Sequence, residues 1–235
     1  MAKYVARCLL TLHDNLYYAS RELGRFYETE KYLHNYGLTY ALGLVKPAPA
    51  YFNSVQVPRY QEELKLERVR GCYVTPARPL KVDFAFNTFK MATVPYYSFT
   101  PQVIENRVVF GRAKELAPES VFEFFVFAPQ KLNLPRWVRL GKWMAKAEVD
   151  SQWYELGSSE APVVEVNQPQ LIDCPLNPLD IPRQRLFSYD VIPMPPVSLL
   201  ANPSVTGACC RLGKERDSKL LPLNMGFFAG EGTGK

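Results

Sequence analysis

YVARCLLTLH, residues 4–13, is the stretch on which the fold reading turns. Ala6, Cys8, Leu10 and Leu12 share one face, while Val5, Arg7, Leu9, Thr11 and His13 share the other. A period of two belongs to extended chain, so the stretch reads as an opening strand with one buried and one partly polar face. DNLYYASRELGRFYE (14–28) follows as a loop carrying Arg21, Gly24 and Arg25. From Thr29 to Leu44 the spacing turns helical, with Leu33, Tyr36, Gly37, Tyr40, Ala41 and Leu44 on one stripe. Thr29 is the expected N-cap, with Glu30 in the first turn.

Beyond the helix, VKPAPAYFNSVQVPR (45–59) is a proline-rich connection. Strand signal returns in residues 63–77, with a turn near Arg70–Gly71, and again in LKVDFAF (80–86) and RVVFGRA (107–113). VFEFFVFA (121–128) is nearly all apolar and suits a strand covered on both faces. Further strands are expected at 144–149, 162–167 and 185–192. From Gly207 periodicity is lost, and residues 207–235 are expected to be a mobile tail in which LLPLNMGFF (220–228) can dock. A strand, a helix and then strands in mixed order predict one α+β domain over 1–206, its helices on one sheet face around a ferredoxin-like core.

Composition bounds the function. With 235 residues, 47% of them hydrophobic, the chain buries a core without disulfide or metal. The net charge of +5 is modest but unevenly spread. Five basic residues and no acid lie between Phe124 and Ala147, whereas acids outnumber Lys and Arg eight to two from Glu148 to Asp190. Such polarity gives a cationic face for a polyanion and a second face for protein neighbours. Five cysteines without a CxxC pair read as reduced thiols in a cytoplasmic protein. The N-terminal apolar run ends at His13–Asn15, too soon for a signal peptide or a membrane span.

PRWVRLGKWMAKAEV (135–149) holds Arg136, Arg139, Lys142 and Lys146 with Trp137 and Trp143 between them. As a helix it places Trp137, Leu140, Gly141, Met144 and Ala145 on one stripe, at the cost of a helical glycine. As loop and strand, Gly141 permits a tight turn or close approach by a ligand. Arginine forks suit phosphate oxygens and indoles stack on bases, so single-stranded nucleic acid fits this stretch. Against it stands a solvated basic face with its tryptophans packed inward. If all five cations met phosphates of a single strand, the salt slope would be about −3.5. A second stretch, Phe84 to Ile104, has six aromatics, Lys90 and no acid. Phe84 and Phe86 alternate, but Phe89, Tyr96, Tyr97 and Phe99 do not, which leaves an extended hairpin with contacting aromatics beside simple core packing. His13 and His34 are the two histidines, and no HExxH, GxSxG, phosphate-loop, dinucleotide or metal-ligand pattern occurs. No cofactor is expected. Asn177 and Asp180 read as turn residues bonding the local backbone.

LTLHDNLYYASRELGRFYETEKYLHNYGLTYALGL, YVTPARPLKVDFAFNTFK and RWVRLGKWMAKAEV together resemble the Cas-five type subunit of the type I-D CRISPR Cascade, from the first strand to about Leu200. The resemblance implies a RAMP protein, an RRM-like core with an inserted thumb hairpin and additional C-terminal strands. It implies a non-catalytic subunit that binds the crRNA five-prime handle and caps one end of the complex. Implied partners are a Cas-seven type backbone subunit, the large Cas-ten type subunit and target DNA near the PAM. By the same resemblance the basic glycine-containing loop matches Arg139–Trp143, and the loop before the first helix matches Arg21, Gly24 and Arg25. The thumb falls within 78–105, with Lys90, Tyr96 and Tyr97 as contacts. The RNA-binding set is thus Arg21, Arg25, Lys90, Tyr96, Tyr97, Arg136, Arg139, Gly141, Lys142, Trp143 and Lys146, with no catalytic or metal residue. The rival reading is a metal-independent endoribonuclease processing precursor crRNA, built on His13 with a nearby Tyr or Lys.

Overall fold

A computed structural model describes residues 2–45, 59–64, 71–90, 110–181, 185–213 and 217–229. These are mostly strand. The opening strand β1 (Tyr4–Leu12) lies between β8 (Val121–Ala128) and β10 (Ala145–Glu155), antiparallel to both. β9 (Trp137–Leu140) edges β10 on one side; β4 (Tyr73–Val74) and β5 (Arg78–Lys81) edge β8 on the other. The strand limits at 121–128 and the alternation of β1 are as the sequence predicts.

Ala6, Cys8, Leu10 and Leu12 pack with Phe122, Phe124, Val126, Ala145 and Ala147 beneath α1 (Asn35–Ala41), which contributes Leu38 and its C-cap Leu42. The predicted helix of sixteen residues is therefore one of seven. Thr29 is not its cap. The Thr29 backbone continues a strand by donating to Lys114 O, and its hydroxyl accepts the Tyr18 N–H at 3.2 Å. Leu33 is bridged in both directions to Ala77, so the turn before the helix is held by a distant strand. His34 is the cap, its Nδ1 accepting from Tyr36 N. Of the predicted stripe, Leu33 and Tyr36 are buried and Tyr40, Ala41 and Leu44 pack half-buried against the core, while Asn35, Leu38 and Thr39 are buried outside it. A second, one-turn helix, α2 (Tyr60–Glu63), takes in the first residue of the stretch 63–77 predicted as strand, of which residues 65–70 lie outside the described residues, and Tyr40 donates to Glu63 across to it.

The opposite face of the first sheet is covered along part of its length. There Val5, Tyr73, Phe125 and Phe127 meet Cys209, Cys210, Leu220 and Phe227 of a third layer. That layer orders β11 (Val163–Leu171), β13 (Leu199–Leu212) and β12 (Leu186–Ile192), with β14 (Lys219–Pro222) on β13. Residues 207–212 thus complete a long strand, and the expected tail boundary at Gly207 falls inside it. Leu220, Leu221 and Phe227 are buried, so LLPLNMGFF docks, and residues 230–235 lie outside the described residues. Asp180 is buried and does more than shape a turn. It accepts from Asn35 Nδ2 at 2.7 Å, from the Tyr73 hydroxyl at 3.1 Å and from Phe228 N at 3.0 Å, tying helix, sheet and C-terminal segment together. Asn177 does keep the predicted local role, accepting from Leu179 N. β12 is a sheet margin, paired among the described residues only with β13, and exposes Phe187, Tyr189 and Val191.

Between the two layers, Glu123 is fully buried on β8 and held by Arg7 Nε at 2.6 Å and Arg78 Nε at 2.7 Å. This pairing makes the partly polar face of β1 tolerable inside the molecule.

The remaining sheet orders β2 (Arg21–Leu23), β3 (Phe26–Glu28), β7 (Phe110–Leu116) and β6 (Phe84–Lys90). Residues 14–28, predicted as loop, therefore contain a hairpin. Its turn is Gly24–Arg25, with Gly24 at φ +65, which a residue without Cβ adopts freely. β6 and β7 pair antiparallel from Phe84↔Leu116 to Lys90↔Phe110, and residues 91–105 of the stretch expected to hold the thumb lie outside the described residues.

Candidate nucleic-acid interface

PRWVRLGKWMAKAEV is neither a helix nor a loop leading into one strand. It is the β9–β10 hairpin, with Gly141–Met144 as its turn. Val138, Leu140, Ala145 and Ala147 point into the core. Their neighbours Trp137, Arg139, Lys146 and Glu148 form cross-strand pairs, Arg139 opposite Lys146 and Trp137 opposite Glu148, on the far side of the sheet. The tryptophans are not packed inward: Trp137 is 44% and Trp143 55% exposed.

Around this face the charges are spaced by specific contacts. Arg136 holds Glu148 with Nε and a terminal nitrogen, both 2.7 Å from one carboxylate oxygen. That hydrogen bond, followed by the one to His13, keeps the Glu148 carboxyl below its ordinary range. His13 Nε2 is 3.5 Å from Glu148 and its ring meets Trp137 edge-on at 5.1 Å. Lys146 Nζ lies 4.1 Å from the centre of the Trp137 ring, close enough for a cation–π contact. Arg139 donates to Met144 O at 3.1 Å and is 3.7 Å from Asp14. Among the described residues, Lys142 and Lys146 have no carboxylate partner. The basic set is thus two cations in exposed, exchangeable pairs and two unpaired.

Gly141 has a reason other than a ligand. At φ +75, a Cβ there would sit 2.6 Å from Leu16 Cδ1 and 2.7 Å from Tyr17 O, and Lys142 N donates to that same carbonyl at 2.9 Å. The glycine admits the chain's own backbone. Next to it, Trp143 stacks on Tyr17 with centroids 4.3 Å apart and planes at 24°, and Lys142 Nζ is 5.9 Å from the Tyr17 ring. Burial, aided by Glu22, Tyr27 and Glu115, pushes the Tyr17 phenol up, so this ring is a neutral platform.

The predicted residues divide into two groups. Arg136, Arg139, Gly141, Lys142, Trp143 and Lys146 are together on the β9–β10 hairpin. Arg21, Arg25 and Lys90 belong to the β2–β3–β7–β6 sheet. Arg21 pairs with Glu28 at 2.8 Å and Glu30 at 3.4 Å, Arg25 is exposed at the hairpin turn, and Lys90 ends β6. Tyr96 and Tyr97 lie outside the described residues. Tyr17 joins the groups, since it touches Trp143 on one side and packs with Ala19, Ala113, Tyr27 and Phe89 on the other. The sequence carries no signal for Tyr17; Trp137 is already among the stacking indoles of the basic run, and His13 is the base of the rival enzymatic reading. Lys131, counted with the basic run, stands apart against Tyr4 at the opposite end of β1.

The sequence profile of the family described as type I-D CRISPR-associated protein Cas5/Csc1 matches residues 3–230. The chain belongs to that family. The match takes in the β9–β10 hairpin, the β2–β3 hairpin and the docked segment up to Ala229, so no part of the described fold is foreign to this Cas5/Csc1 chain. No curated protein matches the sequence. Among solved structures, a chain of the type III-B Cmr-beta complex bound to cognate target RNA and AMPPnP is similar at 10% identity and TM-score 0.39, covering 92% of this chain and 86% of that one. Among the described residues, no group of three or more His, Cys, Asp or Glu is placed to hold a metal ion, and no helix is long and apolar enough to cross a membrane.

Proposed function

We propose that this chain is a non-catalytic subunit of a type I-D Cascade surveillance complex that grips the five-prime handle of the crRNA on the β9–β10 hairpin. On this reading the β8–β1–β10 sheet is the RRM-like core and the β6–β7 hairpin is the stem of the thumb. The chain caps the Cas-seven type backbone, abuts the Cas-ten type subunit and helps position PAM-proximal target DNA. The supporting observation is that Trp137 and Trp143 are open to solvent among four cations on one hairpin. Exposed ion pairs are weak, so Arg136 and Arg139 exchange Glu148 and Asp14 for phosphates at little cost. Indole faces then stack on unpaired bases, the way proteins read single-stranded RNA.

With Lys131 distant, four cations remain at the hairpin, and the expected salt slope on a single strand falls to about −2.8. Titrating labelled handle RNA at several salt concentrations tests this, and Arg139→Ala with Lys142→Ala should reduce the slope by about 1.4. A flat salt response in the unsubstituted protein overturns the reading. The endoribonuclease alternative rests on His13, exposed beside Glu148 and with its backbone N–H bonded to Lys146 O. Incubation with repeat RNA in EDTA separates the two: specific cleavage abolished by His13→Ala establishes the enzyme instead.

A further inference from the structure

Beside Tyr17, whose ring stacks on Trp143, Tyr18 lines a cavity that the basic hairpin does not use. Tyr18, Tyr36, Tyr60 and His34 wall it together with residues 194–196, from the segment between β12 and β13. The Tyr36 ring is 4.6 Å from His34 and 4.9 Å from Tyr60 between centroids, so α1 and α2 converge on one aromatic hollow. Its volume is about 120 Å³. That is below the roughly 150 Å³ that admits benzene, so it takes one small ring. Among the described residues that line it, none is charged.

Two hydroxyls and one glycine give the hollow its chemistry. Among the described residues neither the Tyr18 nor the Tyr60 hydroxyl has a hydrogen-bond partner. Burial, aided at Tyr60 by Glu63, pushes both phenols up, so each keeps the proton it can donate. His34 is already engaged, its Nδ1 accepting from Tyr36 N and its Nε2 donating to Val197 O at 3.2 Å. Gly37 also lines the cavity, from the interior of α1. It keeps helical backbone, and among the described residues a Cβ there would meet the Tyr18 hydroxyl at 3.7 Å, an ordinary contact. Neither φ nor packing demands glycine at this position, and glycine weakens a helix relative to alanine. What it provides is open access to the Tyr18 hydroxyl.

A chain in the polyproline conformation makes no internal hydrogen bonds, so its carbonyls are free acceptors beside small, neutral rings. Aromatic-lined grooves hold such segments because their conformation is fixed before binding. An RNA strand fits less well, since no described cation lines the cavity to meet its phosphates and every nucleobase is larger than benzene. We propose that the cavity seats a proline of an extended segment of a partner protein, with the Tyr18 and Tyr60 hydroxyls donating to its carbonyls. The site does not depend on the RNA-binding reading.

The test is isothermal titration calorimetry of the full chain with acetylated, amidated decaproline, and with a glycine–serine decamer as control. Saturable heat is expected with decaproline alone. Tyr18→Phe removes one donor and leaves no orphaned partner in the fold, so affinity should fall about fivefold with Tm unchanged. Gly37→Ala should weaken binding about tenfold or more while raising Tm by about 2–4 °C, because the helix gains what the cavity loses. If Gly37→Ala lowers Tm instead, the glycine is a packing requirement and Tyr18→Phe decides: unchanged affinity there overturns the site. Absence of saturable binding to decaproline also overturns it. So does binding of a labelled oligouridylate that both variants weaken while decaproline affinity is unchanged, which makes the cavity a base pocket.

Discussion

Substituting Gly141 by alanine separates two explanations of that residue, a cradle for phosphate and a seat for the chain's own backbone. At φ +75 an alanine is in the left-handed region, which costs about 1–2 kcal/mol. In addition the new methyl meets Leu16 Cδ1 at 2.6 Å and Tyr17 O at 2.7 Å. The Leu16 side chain can swing away, but the carbonyl cannot without lengthening its bond from Lys142 N. Overpacking of this kind costs roughly 1–3 kcal/mol, giving about 2–5 kcal/mol in all. Gly24 is the control: it has φ +65, yet nothing lies within 4 Å of its would-be Cβ. Gly24→Ala should therefore lose only the backbone part, about 1–2 kcal/mol. Urea denaturation of both variants, followed by tryptophan fluorescence, reads the difference. Equal losses would refute the claim that Tyr17 O dictates glycine at 141.

Three further outcomes follow from buried groups. Glu123→Gln should destabilise by about 1–3 kcal/mol in the same assay, because Arg7 and Arg78 lose the buried carboxylate that bridges them and keep only their outer partners, Asp217 and Asp173. His34 is buried neutral, its pKa lowered by burial to about 4, against about 6.5 when unfolded. The unfolded chain then binds the extra proton between those values, so stability is full above about pH 6.5 and declines as pH falls toward 4. Between pH 7 and pH 5 the loss should be about 2 kcal/mol, and His34→Asn, which keeps a capping side chain, should remove that dependence. All five thiols are buried, and burial holds Cys209 at about 11 and Cys210 at about 12. The native protein should consume well under one equivalent of Ellman's reagent, against five after denaturation; rapid modification of Cys209 would contradict the packing of β13.

The strands that the sequence announces are those whose side chains face a single consistent environment. β1 alternates because one face meets α1 and the other meets Glu123 and the third layer; β8 is apolar throughout because both of its faces are covered. What local pattern conceals is decided at a distance. Residues 29–34 carry helix-compatible spacing, yet Thr29 bonds Lys114 O and Leu33 bonds Ala77, and those long-range ties outweigh propensity. β13 was obscured by Asn202, Pro203 and Gly207, which look like breaks. Each sits where the pairing register shifts, and a bulge accepts an unpaired or left-handed residue without ending a strand. The β2–β3 hairpin did leave a trace, in Gly24 flanked by REL and FYE. In the candidate interface the basic run and its indoles were legible as chemistry, whereas Tyr17 was not, since its role arises from stacking on a residue 126 positions away.

The open flank of β12 has a practical corollary for anyone handling the chain without its neighbours. Unused amide and carbonyl groups beside Phe187, Tyr189 and Val191 form a template onto which another extended chain can hydrogen-bond. Concentrated preparations will therefore tend to zip margin to margin. A lysine at Tyr189, pointing outward from that border, is the conservative way to keep them dispersed.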